Sequence, residues 1–128
     1  MPIKRKPKDT RRSVEKALDK LWSQIVLKSW GYKCAMCGGL ANQPHHYFHK
    51  AQGLRARWTV ENGVALCFPC HIRKVHQKGD VEPCRDAIIQ KIGEVKFNSL
   101  KFRSKTIWKP TADELRALKA QFEQLLSN

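Results

Sequence analysis

The sequence predicts an α+β, predominantly helical fold. Three observations carry this: apolar residues recur at helical spacing near both ends, short β-prone runs lie between them, and two Cys-x-x-Cys pairs bracket those runs. Cys34 with Cys37 and Cys67 with Cys70 have the spacing of a four-thiolate zinc site. Such a site has no open position, so the zinc would be structural. The expected layout is a basic flexible arm over residues 1–12 and one domain over 13–128. Within that domain a zinc-bound core spans about 32–78 and a helical extension about 83–127.

Residues 2–12 hold Lys4, Arg5, Lys6, Lys8, Arg11 and Arg12 against Asp9, with Pro2 and Pro7 opposing helix. The segment reads as a mobile arm that could lie along phosphates, or as a solvated tail. From Ser13 to Trp30, residues Val14, Leu18, Leu21, Trp22 and Ile25 share one helical face. Thr10 or Ser13 can cap its start, and Gly31 stands where a C′ glycine ends a helix. Trp22 and Trp30 read as core rather than as stacking platforms for bases.

Tyr32 to Leu40 forms the first zinc knuckle, turning at Gly38 and Gly39. Gln43–Phe48 reads as a short strand and 49–57 as a polar loop offering Lys50, Arg55 and Arg57 to phosphate. Trp58–Val60 is strand-like, Glu61-Asn62-Gly63 a turn, and Val64–Leu66 a buried strand. A helix starting near Pro69 would carry His71 and His76. Pro83 suits the first position of the next helix, which Gly93 ends. Residues 94–103 alternate like a strand at Val95 and Phe97 but keep helical spacing at Phe97 and Leu100; helix is the preferred reading. Thr111-Ala112-Asp113-Glu114 is a capping box after Pro110, followed by Leu115, Leu118, Phe122 and Leu125 on one face.

Charge narrows the function. Twenty-five Lys and Arg against eleven Asp and Glu leave +14 on 128 residues, which points to a polyanion, nucleic acid first. No run approaches the roughly 20 apolar residues that span a bilayer, and the basic N-terminus leads into a helix pattern rather than a secretory h-region. A cytoplasmic protein is expected. Five cysteines, an odd number, argue against a disulfide framework; Cys84, outside the pairs, reads as a small buried hydrophobe.

All five histidines (His45, His46, His49, His71 and His76) fall within one stretch. Imidazoles serve both as metal ligands and as bases. Adjacent residues on a strand point to opposite faces, so His45 and His46 can divide those tasks. Phosphodiester hydrolysis needs an attacking water, a base and a cation on the phosphate, and such residues can supply the set.

The order Cys34-x-x-Cys37, His45-His46, Asn62-Gly63, Leu66-Cys67-x-x-Cys70-His71 resembles the HNH endonuclease family with its ββα-metal core. The flanks KALDKLWSQIV, IQKIGEVKFNSLKF and KPTADELRAL are similar to the phage NinG (Rap) recombination nucleases, which generally lack the Cys-x-x-Cys-His ending at His71. The resemblance implies an HNH endodeoxyribonuclease that nicks or cleaves duplex or branched DNA held through phosphates, leaving 5′-phosphate and 3′-hydroxyl ends. It assigns His46 as general base and Asn62 as the residue that orients His46 or ties down the loop between the strands. His71 would bind the catalytic Mg²⁺, Mn²⁺ or other divalent cation, and His45 stands where many relatives have an Asp ligand. His76 is a further ligand candidate, although five residues from His71 is an unusual step. His49 suits phosphate contact better than ligation, and Lys50, Arg55, Arg57, Arg73 and Lys74 are candidate backbone contacts. The competing class is a non-catalytic zinc module that binds DNA or RNA; an RNA-directed nuclease shares the same chemistry.

Overall fold

The computed structural model describes residues 10–50 and 55–127. Four α-helices dominate: α1 (Arg11–Ser29), α2 (Glu82–Ile92), α3 (Glu94–Ser104) and α4 (Ala112–Ser127). The strands β1 (Gln43–His46) and β2 (Gly63–Leu66) form one antiparallel sheet, and a π-helix spans Cys70–Gln77. The fold is therefore predominantly helical with a small sheet. Most of the expected basic arm, residues 1–9, lies outside the described residues; Arg11 and Arg12 belong to α1. No described helix is long and apolar enough to cross a membrane.

Helix α1 starts where its cap dictates. The Ser13 N–H donates to Thr10 Oγ1 at 3.2 Å, so Thr10 is the N-cap. Val14, Leu18, Trp22, Ile25 and Val26 are its buried face. Past its end, Gly31 (φ +62°) and Tyr32 (φ +58°) both take the left-handed backbone. That conformation costs tyrosine about 1–2 kcal/mol. It is held by Tyr32 N–H donating to Leu27 O at 2.9 Å and Tyr32 O accepting from Ala41 N at 2.8 Å. The double turn aims the Cys34–Cys37 knuckle back at the sheet, where Ala35 N–H donates to Ala65 O at 2.8 Å.

Helix α4 packs on α1. Its capping box is reciprocal, with Thr111 N–H donating to Glu114 Oε1 at 3.0 Å and Glu114 N–H to Thr111 Oγ1 at 3.1 Å. Leu115 and Phe122 are buried against α1 and Trp58, with Leu118 and Leu126 beside them. Leu125 is exposed, a correction to its expected place: from Phe122 the four-residue step reaches the α1 groove and the three-residue step does not. A second cluster joins the knuckle, β2, the π-helix, α2 and α3 through Cys34, Leu66, Val75, Ile88 and Leu100. Cys84 is fully buried there, as expected, and burial pushes its thiol up to about 11.

Two details differ from expectation. Trp58–Val60 is not a strand; 3₁₀ turns cover Arg55–Trp58 and Val60–Asn62. The Thr59 hydroxyl donates back to Arg55 O at 2.7 Å and the Trp58 indole N–H donates to Asp19 at 2.9 Å, which rolls the chain up rather than extending it. Strand β1 also stops at His46 instead of Phe48. Residues 94–104 are helical, with Gly93 (φ +89°) separating α2 from α3.

Gly63 pairs with His46 and lets the sheet lie directly on α1. A Cβ there would stand 2.8 Å from Val26 Cγ1, 2.9 Å from Trp22 Cζ2 and closer still to Val26 Cγ2. Gly63→Ala should therefore push the hairpin off α1 and destabilise by about 1–3 kcal/mol, the usual cost of overpacking. A denaturant melt unchanged by the substitution would contradict this packing.

Candidate metal centre and histidine cleft

The cysteines come from two turns. Cys34 and Cys37 sit in the knuckle, where Cys34 N–H donates to Gly39 O at 2.7 Å and Gly38 N–H to Cys34 O at 2.9 Å. Cys67 follows β2, and Cys70 opens the π-helix, locked by His71 N–H donating to Cys67 O at 2.9 Å. The four Sγ atoms lie within 4.8 Å of one another, and Cys37 Sγ is 3.6 Å from Cys67 Sγ. Thiolates about 2.3 Å from a tetrahedral zinc stand about 3.8 Å apart, so the cluster has the right size. Burial raises the Cys34 thiol, but hydrogen bonds from Cys67, Cys37 and Met36 outweigh it and bring it down to about 6; burial and the neighbouring thiols raise Cys70. One stabilised thiolate among four crowded sulfurs is the electrostatic setting that a dication relieves. The residues fit a structural zinc.

The histidines converge from β1, the residues after it and the π-helix. A cleft of about 340 Å³ is lined by Pro44, His45, His46, His49, Lys50, His71 and His76. All five histidines of the chain therefore line one cleft. Ligand nitrogens of His45, His71 and His76 lie within 4.8 Å of one another. The ring of His45 is 5.2 Å from His71 and 5.6 Å from His76, and His71 Nε2 is 2.9 Å from His76 Nε2. The five-residue step from His71 to His76 is explained by the winding. A π-helix closes i→i+5, so residues five apart stack as residues four apart do in an α-helix. His71 faces His76 through Nε2, while its Nδ1 is buried without a hydrogen-bond partner among the described residues. Three imidazoles are borderline nitrogen donors; they suit zinc, nickel or cobalt, whereas Mg²⁺ seeks hard oxygens that this cluster lacks.

His46 ends β1 with its ring against Trp22, while His45 meets His71 and His76, and both rings border the cleft. The His46 ring stacks on Trp22 with centroids 3.7 Å apart and planes 4° from parallel. His46 Nε2 is 2.9 Å from Arg57 O. A carbonyl only accepts, so the ring donates Nε2–H and keeps the Nδ1 lone pair free. Asp19, one turn before Trp22 on α1, fixes that carbonyl's residue. It accepts from Arg57 Nε at 3.0 Å, Arg57 Nη2 at 2.8 Å and Trp58 Nε1 at 2.9 Å. Trp22 is itself tied by its indole N–H to Thr59 O at 2.8 Å. Asp19 and Trp22 thus hold the ring from one helix. Sequence reasoning missed Asp19 altogether and took Trp22 only as core. The signal was faint: Asp19 is one of two acids on a mainly basic helix, three residues before a Trp.

Asn62 is fully buried and makes no hydrogen bond to His46 among the described residues. Its Oδ1 accepts from Phe48 N–H at 2.7 Å, and its Nδ2 donates to Phe48 O at 2.9 Å and Ala56 O at 3.1 Å. Of its two anticipated tasks, these bonds match tying down the inter-strand loop. Among the basic candidates, Lys50 lines the cleft with His49, while Arg57 is committed to Asp19 and Arg55 stacks 5.1 Å above Trp108. Arg73 and Lys74 are exposed on the π-helix and do not line the cleft.

Burial, then the neighbouring His71, His76 and His46, pushes His45 down to about 4; burial also pushes His46 to about 4 despite its bond to Arg57 O. His71 is lowered by burial and by His76. A folded-state value below the unfolded value of about 6.5 means the unfolded chain takes up protons first as pH falls. Stability from these rings is fully present above pH 6.5 and is lost as pH falls toward 4. The melting temperature should follow that window, and His46→Gln should flatten part of the slope. An unchanged slope in the variant would refute a buried neutral His46.

A family model described as bacteriophage lambda NinG protein matches residues 2–128. No curated protein and no solved structure matches the chain.

Proposed function

The chain belongs to the bacteriophage lambda NinG protein family, and on that premise we propose that it is a divalent-metal-dependent endonuclease of the HNH type, acting on DNA in phage recombination or DNA processing. The observation that carries the reading is the single cleft shared by five histidines on a strongly basic chain. The hairpin followed by the Cys70–Gln77 helix serves as the ββα-metal core, braced by zinc on Cys34, Cys37, Cys67 and Cys70.

In this reading His45, His71 and His76 hold the catalytic cation, which when bound supplies Lewis acidity to the phosphate and leaving oxygen. His46 takes the proton of the attacking water on Nδ1, the nitrogen not engaged by Arg57 O. Trp22, Asp19 and Arg57 keep that nitrogen aimed, so little reorientation is needed at the moment of proton transfer. Asn62 holds the loop that carries His49 and Lys50, whose side chains line the cleft where a phosphate would enter. Cleavage leaves a 5′-phosphate and a 3′-hydroxyl. The donor set favours Zn²⁺, Ni²⁺ or Co²⁺ over Mn²⁺ and makes Mg²⁺ the weakest candidate cation.

The test is plasmid cleavage by purified zinc-loaded protein with each of these cations added separately. Conversion of supercoiled to nicked or linear plasmid with a transition metal, and weaker conversion with Mg²⁺, is the expected result. No cleavage with any cation, alongside retained DNA binding, would replace the enzyme with a non-catalytic zinc module.

A further inference from the structure

Helix α3 buries Phe97, Leu100 and Ser104 and turns its other side to solvent. At about 100° per residue, Val95 and Phe102 lie opposite that buried face. They are 84% and 77% exposed, although burial of either would be favourable. Exposed cations flank this ridge on both sides: Lys96 and Arg103 on one, Lys101 and Lys105 on the other. None of the four makes an ion pair among the described residues, and the helix's one acid, Glu94, sits in its first turn, where the helix dipole favours it. Glu61 shares a cleft with Lys96, Ser99 and Arg103 but pairs with neither cation.

An apolar ridge between two basic flanks selects its partner. A second copy of this +14 chain would bring like charge against like. A bilayer interface calls for a broad apolar face, and this ridge is two side chains on an 11-residue helix. Duplex DNA fits: its major groove, about 12 Å wide, admits a helix of about 10–12 Å diameter, with thymine methyls and base edges on the floor and phosphates on both walls. A-form RNA does not offer that groove to side chains.

We propose that the solvent face of α3 is a second contact surface for duplex DNA. Its Val95–Phe102 ridge faces the base edges of the major groove, and Lys96, Arg103, Lys101 and Lys105 meet the phosphates on either wall. The surface is rigidly coupled to the histidine cleft. Phe97 packs 5.9 Å from Tyr47 and 5.6 Å from Phe48, the residues that follow His46. Thr106 O accepts from Arg55 N–H at 3.1 Å, two residues before the carbonyl that holds His46. A groove gripped by α3 would therefore present the neighbouring backbone to the cleft in a set register. The inference rests on the nucleic-acid reading above, and not on its chemistry.

The test is equilibrium binding of a fluorescent 30-base-pair DNA duplex to full-length zinc-loaded protein carrying His46→Gln, so that no cutting intervenes. Lys101→Glu with Arg103→Glu should weaken binding on the order of tenfold or more and reduce the salt slope by about 0.9 for each phosphate no longer neutralised. Phe102→Ala should weaken DNA binding on the order of threefold to tenfold with the salt slope unchanged, and should leave binding to an RNA duplex of the same sequence unaltered. Arg116→Glu with Lys119→Glu on α4 is the charge-matched control and should cost much less. Wild-type affinity in both sets of α3 variants, or an equal loss in the α4 control, would overturn the α3 surface while leaving the nuclease reading intact. Binding to vesicles of anionic phospholipid that Phe102→Ala abolishes, with DNA affinity unchanged, would assign the ridge to a membrane instead. A parent protein that binds no duplex would overturn both readings together.

Discussion

Cys67→Ser is expected to cost the protein its zinc and most of its folded population. The four sulfurs join the knuckle after α1 to the turn between β2 and the π-helix, and Cys34 and Cys70 are themselves part of the second core cluster. Structural zinc sites contribute about 10–16 kcal/mol of apparent binding energy, as much as the whole net stability of about 5–15 kcal/mol of a typical domain. A serine hydroxyl stays protonated and is a poor ligand, so the remaining three sulfurs would hold zinc weakly if at all. The loss should spread to the histidine cleft, because His71 begins on the turn that Cys67 O closes. Metal analysis should give at least one zinc per wild-type chain and much less in the variant, with a collapsed far-UV melt. A zinc-free variant that melts like wild type would refute the structural site.

His46→Ala is expected to reduce cleavage by about 10²- to 10⁴-fold, the usual weight of a general base. The ring is half-buried between Trp22 and the Arg57 carbonyl, so alanine also leaves a gap and an unpaired acceptor. His46→Gln separates the two effects. Glutamine restores a donor for Arg57 O but has no basic nitrogen, so it should recover stability without recovering cleavage. Both variants should keep DNA affinity close to wild type, because the basic surface is untouched. A cleavage rate in His46→Gln within a few-fold of wild type would remove His46 from the chemistry and leave a structural role.

Much of the scaffold was legible in the chain because it depends on short-range interactions. The Thr111–Glu114 box, the Thr10 cap, Gly31 and Gly93 in left-handed backbone, and the α1 stripe are all set by residues within about one or two helical turns of each other. The Cys-x-x-Cys spacing worked for the same reason: each pair is a local turn, and only the meeting of the two pairs is long-range. The histidines were legible as a set through their confinement between residues 45 and 76, and the different ring partners of His45 and His46 accord with the strand period.

The sequence by itself determined the helices, their caps, the two cysteine turns and the group of histidines. Tertiary structure alone decided what each side chain does within that frame. Arg57 is available to phosphate on paper but is taken by Asp19, 38 residues away. His46 receives its orientation from Trp22 and from a carbonyl 11 residues on. Trp58–Val60 has strand composition yet rolls into 3₁₀ turns because Asp19 captures the Trp58 indole and Thr59 bonds back to Arg55. Cys70–Gln77 winds as a π-helix, which turns a five-residue histidine step into one turn. The reason is common to the first three. Periodicity and capping record interactions between near neighbours, whereas the partners that orient the His46 ring or commit the Arg57 cation are chosen by packing between segments that no local pattern links.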